Sequence, residues 1–144
     1  MKELTISIAI LVISTTCLNA QDMFKARQLT FDPAQEGFAT WSPDGRYIIY
    51  QHTNLKDTIG KNGLWKISPD GNGEQHIIGG VAEHPQWSPD GRFIVFDADT
   101  GKTIKMIPAE GGEPIIFLPD TIHIKNGGLP CWSPDGSQIA FKDS

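Results

Sequence analysis

Short apolar runs, each bounded by a cluster of turn-forming residues, recur along this chain: Tyr47 to Tyr50, Phe93 to Phe96 and Ile139 to Phe141. An amphipathic helix would spread its apolar positions over about ten or more residues. Runs this short, rich in β-branched and aromatic side chains and preceded by Pro and Gly, predict strands. Because apolar residues follow one another without polar alternation, the strands are expected to be covered on both faces.

Each run ends a decapeptide that occurs three times: Trp-Ser-Pro-Asp-Gly-Arg-Tyr-Ile-Ile-Tyr at 41 to 50, Trp-Ser-Pro-Asp-Gly-Arg-Phe-Ile-Val-Phe at 87 to 96 and Trp-Ser-Pro-Asp-Gly-Ser-Gln-Ile-Ala-Phe at 132 to 141. The tryptophans are 46 and then 45 residues apart, a period that fits one four-stranded propeller blade and is too long for ankyrin, tetratricopeptide or leucine-rich repeats. In Ser-Pro-Asp-Gly, Pro is pre-set for the second position of a tight turn and Asp bonds nearby backbone. Gly takes the positive φ that closes it. Asp44, Asp90 and Asp135 recur with the period, as turn-formers must, which assigns them to structure rather than catalysis.

A second hairpin follows. Trp65 to Ile78 aligns without a gap on Ile104 to Phe117, so each unit reads as strand A ending at the Trp, the turn, strand B, a loop, strand C, a Gly-rich turn and strand D. The fold class is therefore all-β, a β-propeller of four-stranded antiparallel blades. Units span about 38–82, 83–128 and an incomplete 129–144, with 26–30 expected as a ring-closing strand. These make eleven strands, about two and a half blades, which cannot close a ring. The expected reading is a fragment of a longer chain, with several short chains assembling into one ring as the alternative.

The loop from strand B to strand C runs from about Gln51 to Gly63 in the first unit and from Asp97 to Lys102 in the second, seven residues shorter. Ile78 precedes its next Trp by nine residues, and Phe117 precedes Trp132 by fifteen. In an up-and-down blade both kinds of connection emerge on one face, where insertions often bind partners. The expected partner-binding residues are accordingly His52, Lys56, Asp57, Asp120, His123 and Lys125.

The repeated Trp-Ser-Pro-Asp-Gly with its apolar strand resembles the WD40-like β-propeller repeat of TolB-type proteins. His84-Pro85-Gln86-Trp87 and Leu129-Pro130-Cys131-Trp132 extend the resemblance with Pro two before Trp, and Arg27-Gln28-Leu29-Thr30 is similar to the usual end of a preceding unit. The first unit departs, with Ala39 in place of that Pro. The resemblance covers about residues 26 to 144 and implies a propeller, commonly six-bladed, that is exported to the periplasm and acts through protein contacts.

Ahead of the repeats, Lys2, the predominantly apolar run of eight from Ile6 to Ile13 and Leu18-Asn19-Ala20 read as an export signal over residues 1–20. That run is too short to span a bilayer. Lipid anchoring through Cys17 is the minor alternative for a periplasmic or secreted protein. Without residues 1–20, 11 basic side chains face 16 acidic ones and the net charge stays at −5, which excludes the basic face that nucleic-acid binding requires. Only Cys131 then remains, so no intramolecular disulfide is expected.

No metal or cofactor is expected. His52, His76, His84 and His123 show no i, i+4 pair, and His76 and His84 are expected as polar surface residues. Asp97 to Gly101 lacks the third acidic position and distal Glu of a calcium loop and reads as a hairpin turn. Gly101-Lys102-Thr103 ends like a phosphate loop, but Phe96 stands where the first glycine belongs. The expected function is a non-catalytic scaffold for an envelope protein. The alternative is the gating propeller of a prolyl-oligopeptidase-like serine peptidase, although no Gly-x-Ser-x-Gly elbow occurs in these residues.

Overall fold

A computed structural model of the chain describes residues 27–56, 60–116, 118, 122, 124–125 and 127–143. Ten strands follow one another: β1 (Gln35–Trp41), β2 (Ile48–Thr53), β3 (Gly63–Ile67), β4 (Gln75–Gly79), β5 (Ala82–Trp87), β6 (Phe93–Ala98), β7 (Thr103–Pro108), β8 (Ile115–Ile116), β9 (Gly128–Trp132) and β10 (Ile139–Lys142). They form antiparallel sheets in the orders β1-β2-β3-β4, β5-β6-β7-β8 and β9-β10. Two complete blades and the first hairpin of a third thus stack face to face, a partial β-propeller.

The Ser-Pro-Asp-Gly turns owe their shape to local hydrogen bonds. In the first, Gly45 N–H donates to Ser42 O at 2.9 Å, Arg46 N–H to Asp44 Oδ1 at 3.0 Å and Tyr47 N–H to Ser42 Oγ at 2.9 Å. Ser88 to Phe93 and Ser133 to Gln138 repeat these bonds, and Ser68-Pro69-Asp70-Gly71 reuses the same device between β3 and β4. Gly45, Gly91 and Gly136 sit at φ 71°, 73° and 71°, so the turn needs glycine at that point.

The apolar runs divide their side chains between two interfaces. Ile49 and Leu64 of the first blade meet Ile94, Phe96 and Ile107 of the second. Val95 and Ile104 of the second turn the other way, onto Trp132, Ile139 and Phe141 of the third. Burying each such side chain contributes about 1.5–3 kcal/mol. Polar groups join the same interface. The Trp87 indole donates to Thr40 O at 3.3 Å, and the buried Lys66 ammonium donates to Ala109 O at 2.9 Å beneath the Tyr47 ring.

Register departs from the sequence alignment of the second hairpin by one residue. Ile48 pairs with Ile67 and Ile94 with Ile107, so Leu64 and not Trp65 is the counterpart of Ile104. A slip of one would exchange the faces of every side chain; burial of Leu64 and Ile104 decides the register, while Trp65 stays half-buried. The segment Arg27 to Thr30, expected as a strand, joins no sheet among the described residues. Leu29 instead packs on Ile48, Tyr50 and Ile67, and Arg27 donates to Pro69 O.

Candidate functional site

Three residues before the tryptophan of each repeated decapeptide the backbone leaves the β region: φ is 52° at Phe38, 49° at His84 and 53° at Leu129. Each ladder is irregular there, between Gly37 and Thr40, between Glu83 and Gln86, and opposite β9 between Ala140 and Lys142. A left-handed conformation in residues other than glycine costs free energy, and such bulges re-aim side chains at functional sites. Here all three first strands carry the same distortion. β5 packs against β1 on one side and β9 on the other, and the bulges bring Phe38, His84 and Leu129 around a cavity of about 240 Å³ that Gln86 and Cys131 also line. Phe38 and Leu129 are exposed large apolar side chains, and the Phe38 ring meets His84 edge-on with 4.1 Å between centroids. In the geometry of a propeller, these innermost strands face the central axis.

Behind His84, out of the cavity lining itself, lies a pair of acids. Asp97, near the end of β6, is 2 % exposed, and its Oδ1 lies 2.8 Å from Nδ1 of His84, whose side chain is 22 % exposed. Burial raises the Asp97 carboxyl above its ordinary range, and the hydrogen bond from His84 opposes that shift. Glu83 stands opposite Asp97 in the ladder and accepts from Gln51 Nε2 of the neighbouring blade at 3.2 Å. From the third blade, Gly128 closes over Asp97 so tightly that a Cβ there would meet Oδ2 at 2.3 Å. Three blades therefore contribute to one site.

Placement of the expected partner-binding residues is mixed. His52 belongs to β2, not to the loop; it is 4 % exposed, with Nδ1 3.5 Å from Glu36 Oε1 and its ring beside Trp65. Its neighbour in sequence, Thr53, ends the strand, because the ladder with β1 runs on to Gln35. Lys56 and Lys125 are exposed, and the Lys125 N–H donates to Asp143 at 3.0 Å. Asp57, Asp120 and His123 lie outside the described residues. Described residues of the connections meet at the end of the blades where the first strands begin: Gly80 N–H donates to Asn62 O at 3.0 Å, and Gly127 N–H to Gly101 O at 3.4 Å. His84 and Leu129, the third residue of β5 and the second of β9, stand near that end.

Two expectations need correction. His84 is not a solvated surface histidine, since the bulge turns it onto Asp97. The hairpin turn expected over Asp97 to Gly101 is present but begins later, because β6 continues through Asp97 to Ala98, which pairs with Thr103 and accepts from Gly101 N–H at 3.1 Å. Internal comparison of the repeats is the signal that could have found both. Counting from each Trp, Gln51, Asp97 and Lys142 are equivalent, as are Gly37, Glu83 and Gly128, so the carboxylate pair belongs to one unit alone.

No family model matches the chain, and no curated protein matches it in sequence. Solved structures do. A protein assigned as TolB from Agrobacterium tumefaciens superposes with a TM-score of 0.63 at 24% identity, covering 78% of this chain and 39% of that one. An oligogalacturonate lyase in complex with manganese superposes with a TM-score of 0.61 at 15% identity, covering 83% and 35%. Both are β-propellers, and at these identities the likeness is one of fold. The chain spans 39% and 35% of the lengths of these two proteins. No helix among the described residues is long and apolar enough to cross a membrane.

Proposed function

We propose that this chain is part of a TolB-like propeller, exported to the cell envelope, that works as a non-catalytic module binding a protein partner at its axial mouth and the loops beside it. One observation carries the reading: three successive blades spend the same left-handed bulge to present Phe38, His84 and Leu129 at a common opening. Two exposed apolar side chains beside polar groups form the kind of surface that a protein partner covers. The exposed Lys56 and Lys125 lie on connections at that end and would meet the rim of such a partner. Export rests on the sequence of residues 1–20, and the TolB-like fold supports it.

The test is affinity capture from envelope extracts with the wild-type protein and with Phe38→Asp and Leu129→Asp variants, followed by mass spectrometry. One envelope protein retained by the wild type and lost from both variants, with circular dichroism unchanged, is the expected result. Equal capture by all three would sink the reading. Covalent labelling of the full gene product by a fluorophosphonate would favour the gating propeller of a serine peptidase instead.

A further inference from the structure

The acidic pair behind His84 has a charge imbalance that the fold does not require. Glu83 and Asp97 are directly opposite in the β5–β6 ladder, an arrangement that destabilises a sheet when both are ionised. Among the described residues no Lys or Arg pairs with either carboxylate; His84 is the one basic group in contact with Asp97. The equivalent places hold Gly37 and Gln51 in the first unit and Gly128 and Lys142 in the third, so turn and ladder form perfectly well without acids there.

Donor atoms of Glu83, His84 and Asp97 lie within 4.8 Å of one another. His84 Nδ1 and Asp97 Oδ1, hydrogen-bonded at 2.8 Å, need to part by only about half an ångström to seat one tetrahedral ion about 2.0–2.2 Å from each. A second feature points the same way. Gln51 is only 9 % exposed, its amide touches Glu83, and its Oε1 is buried without a hydrogen-bond partner. Leaving a buried carbonyl unpaired costs free energy, and rotation about the last side-chain bond, which exchanges the Nε2 bonds to Glu83 at 3.2 Å and Thr53 Oγ1 at 3.1 Å for a metal contact, turns that oxygen toward the carboxylates.

We propose that Glu83, His84 and Asp97, completed by the Gln51 carbonyl oxygen, bind a divalent first-row transition cation such as Zn²⁺ or Mn²⁺ at the mouth of the propeller. One imidazole, two carboxylates and one amide oxygen suit such an ion better than Ca²⁺ or Mg²⁺, which take oxygen donors. The ion replaces the hydrogen bond between His84 and Asp97, the imidazole keeping its proton on Nε2. It neutralises the facing carboxylates and ties the first blade to the second through Gln51. This site stands independently of the protein partner proposed above.

Metal binding to the purified, chelator-stripped chain tests it, by equilibrium dialysis with Zn²⁺ and separately with Mn²⁺. The expected result is one ion per chain, with affinity reduced about tenfold or more in His84→Ala and in Glu83→Gln. His76→Ala, at an exposed histidine, should bind as the wild type does. Asp97→Asn is included only if its circular dichroism matches the wild type; Glu83→Gln, nearer the surface, keeps the test decisive otherwise. In ¹⁵N spectra of the Zn²⁺-loaded chain, Nδ1 of His84 should shift while the ring nitrogens of His76 stay in place. No bound ion at one equivalent, binding undiminished in His84→Ala, or uptake of Ca²⁺ with the His84 ring unshifted would each overturn the assignment.

Discussion

Replacing Gly128 with alanine puts a methyl group where the Asp97 carboxylate stands. An ideal Cβ meets Asp97 Oδ2 at 2.3 Å and Cγ at 2.7 Å, and φ at this glycine is 121°, a value L side chains rarely adopt. Two costs therefore add. Backbone strain is worth about 1–3 kcal/mol, and forcing a packed side chain aside about 1–3 kcal/mol more. Asp97 has little room to yield, being buried and held by His84. The expected loss is about 2–6 kcal/mol in urea unfolding followed by tryptophan fluorescence, the sum of those two terms. Gly37 supplies the control, for it holds the equivalent place in β1 with nothing within 4 Å of a Cβ and an ordinary φ. Gly37→Ala should stay within about 0.5 kcal/mol of the wild type. Combining Gly128→Ala with Asp97→Ala separates most of the two costs: the contacts with Oδ2 and Cγ disappear, a close approach to Cβ at 2.9 Å and the strain remain, so the pair should show a coupling of about 1–3 kcal/mol. A Gly128→Ala midpoint equal to that of the wild type, or simple additivity in the double variant, would refute the reasoning.

Phe96→Ala, at one of the most buried side chains between the first and second blades, should cost about 3–5 kcal/mol in the same assay, whereas Phe31→Ala, at an exposed position, should be close to neutral. Glu110 is largely exposed although it pairs with Lys66 at 3.2 Å, so Glu110→Gln should change stability by about 0–1 kcal/mol. Lys66→Ala also removes the bond to Ala109 O and the buried stem, and should cost about 1.5–3 kcal/mol for the charged hydrogen bond alone. Hydrogen bonds from serine hydroxyls and backbone N–H groups lower Asp44, Asp70, Asp90 and Asp135 from 3.8 to about 2. Their contribution is fully present above pH 3.8 and is lost as pH falls through about 2. Carboxyl ¹³C titration should show four aspartates still ionised at pH 3, and the melting temperature should fall between pH 4 and pH 2; midpoints near 3.8 would contradict the turn geometry.

Fold was legible because the repeat states it three times. Trp-Ser-Pro-Asp-Gly specifies the turn through bonds among residues two to five apart, and the apolar run after it specifies a strand buried on both faces. Non-local information was harder to read. The one-residue slip in the second hairpin arose because Trp65 and Ile104 look alike by hydrophobicity, while only packing tells that Leu64 enters the interface and Trp65 does not. His52 failed as a loop residue for a related reason: a polar sequence, Gln51-His52-Thr53, still forms strand when the neighbouring β1 extends far enough to pair with it. Of the axial site, the sequence held the parts without their juxtaposition. His84 and Asp97 are thirteen residues apart and meet at 2.8 Å only because a bulge in β5 turns the histidine over its partner strand.

Where the repeats agree and where they differ separates the two tasks of this chain. Turn residues and interface residues recur at the period, since every blade must solve the same packing problem with the same geometry. At the axial end the backbone also recurs, down to φ values of 52°, 49° and 53°, but the side chains carried there do not: Phe38 is an aromatic ring, His84 a basic one and Leu129 aliphatic. A strained backbone kept in all three blades without a common side chain is not explained by packing, because packing would select similar residues. It is explained if each blade delivers a different group to one opening. The same logic isolates Glu83 and Asp97, two acids facing each other in the only unit that has them. Divergence on a fixed scaffold thus supports the partner surface proposed at the propeller mouth, and it directs mutagenesis there before the periodic aspartates, whose repetition marks them as parts of the turn.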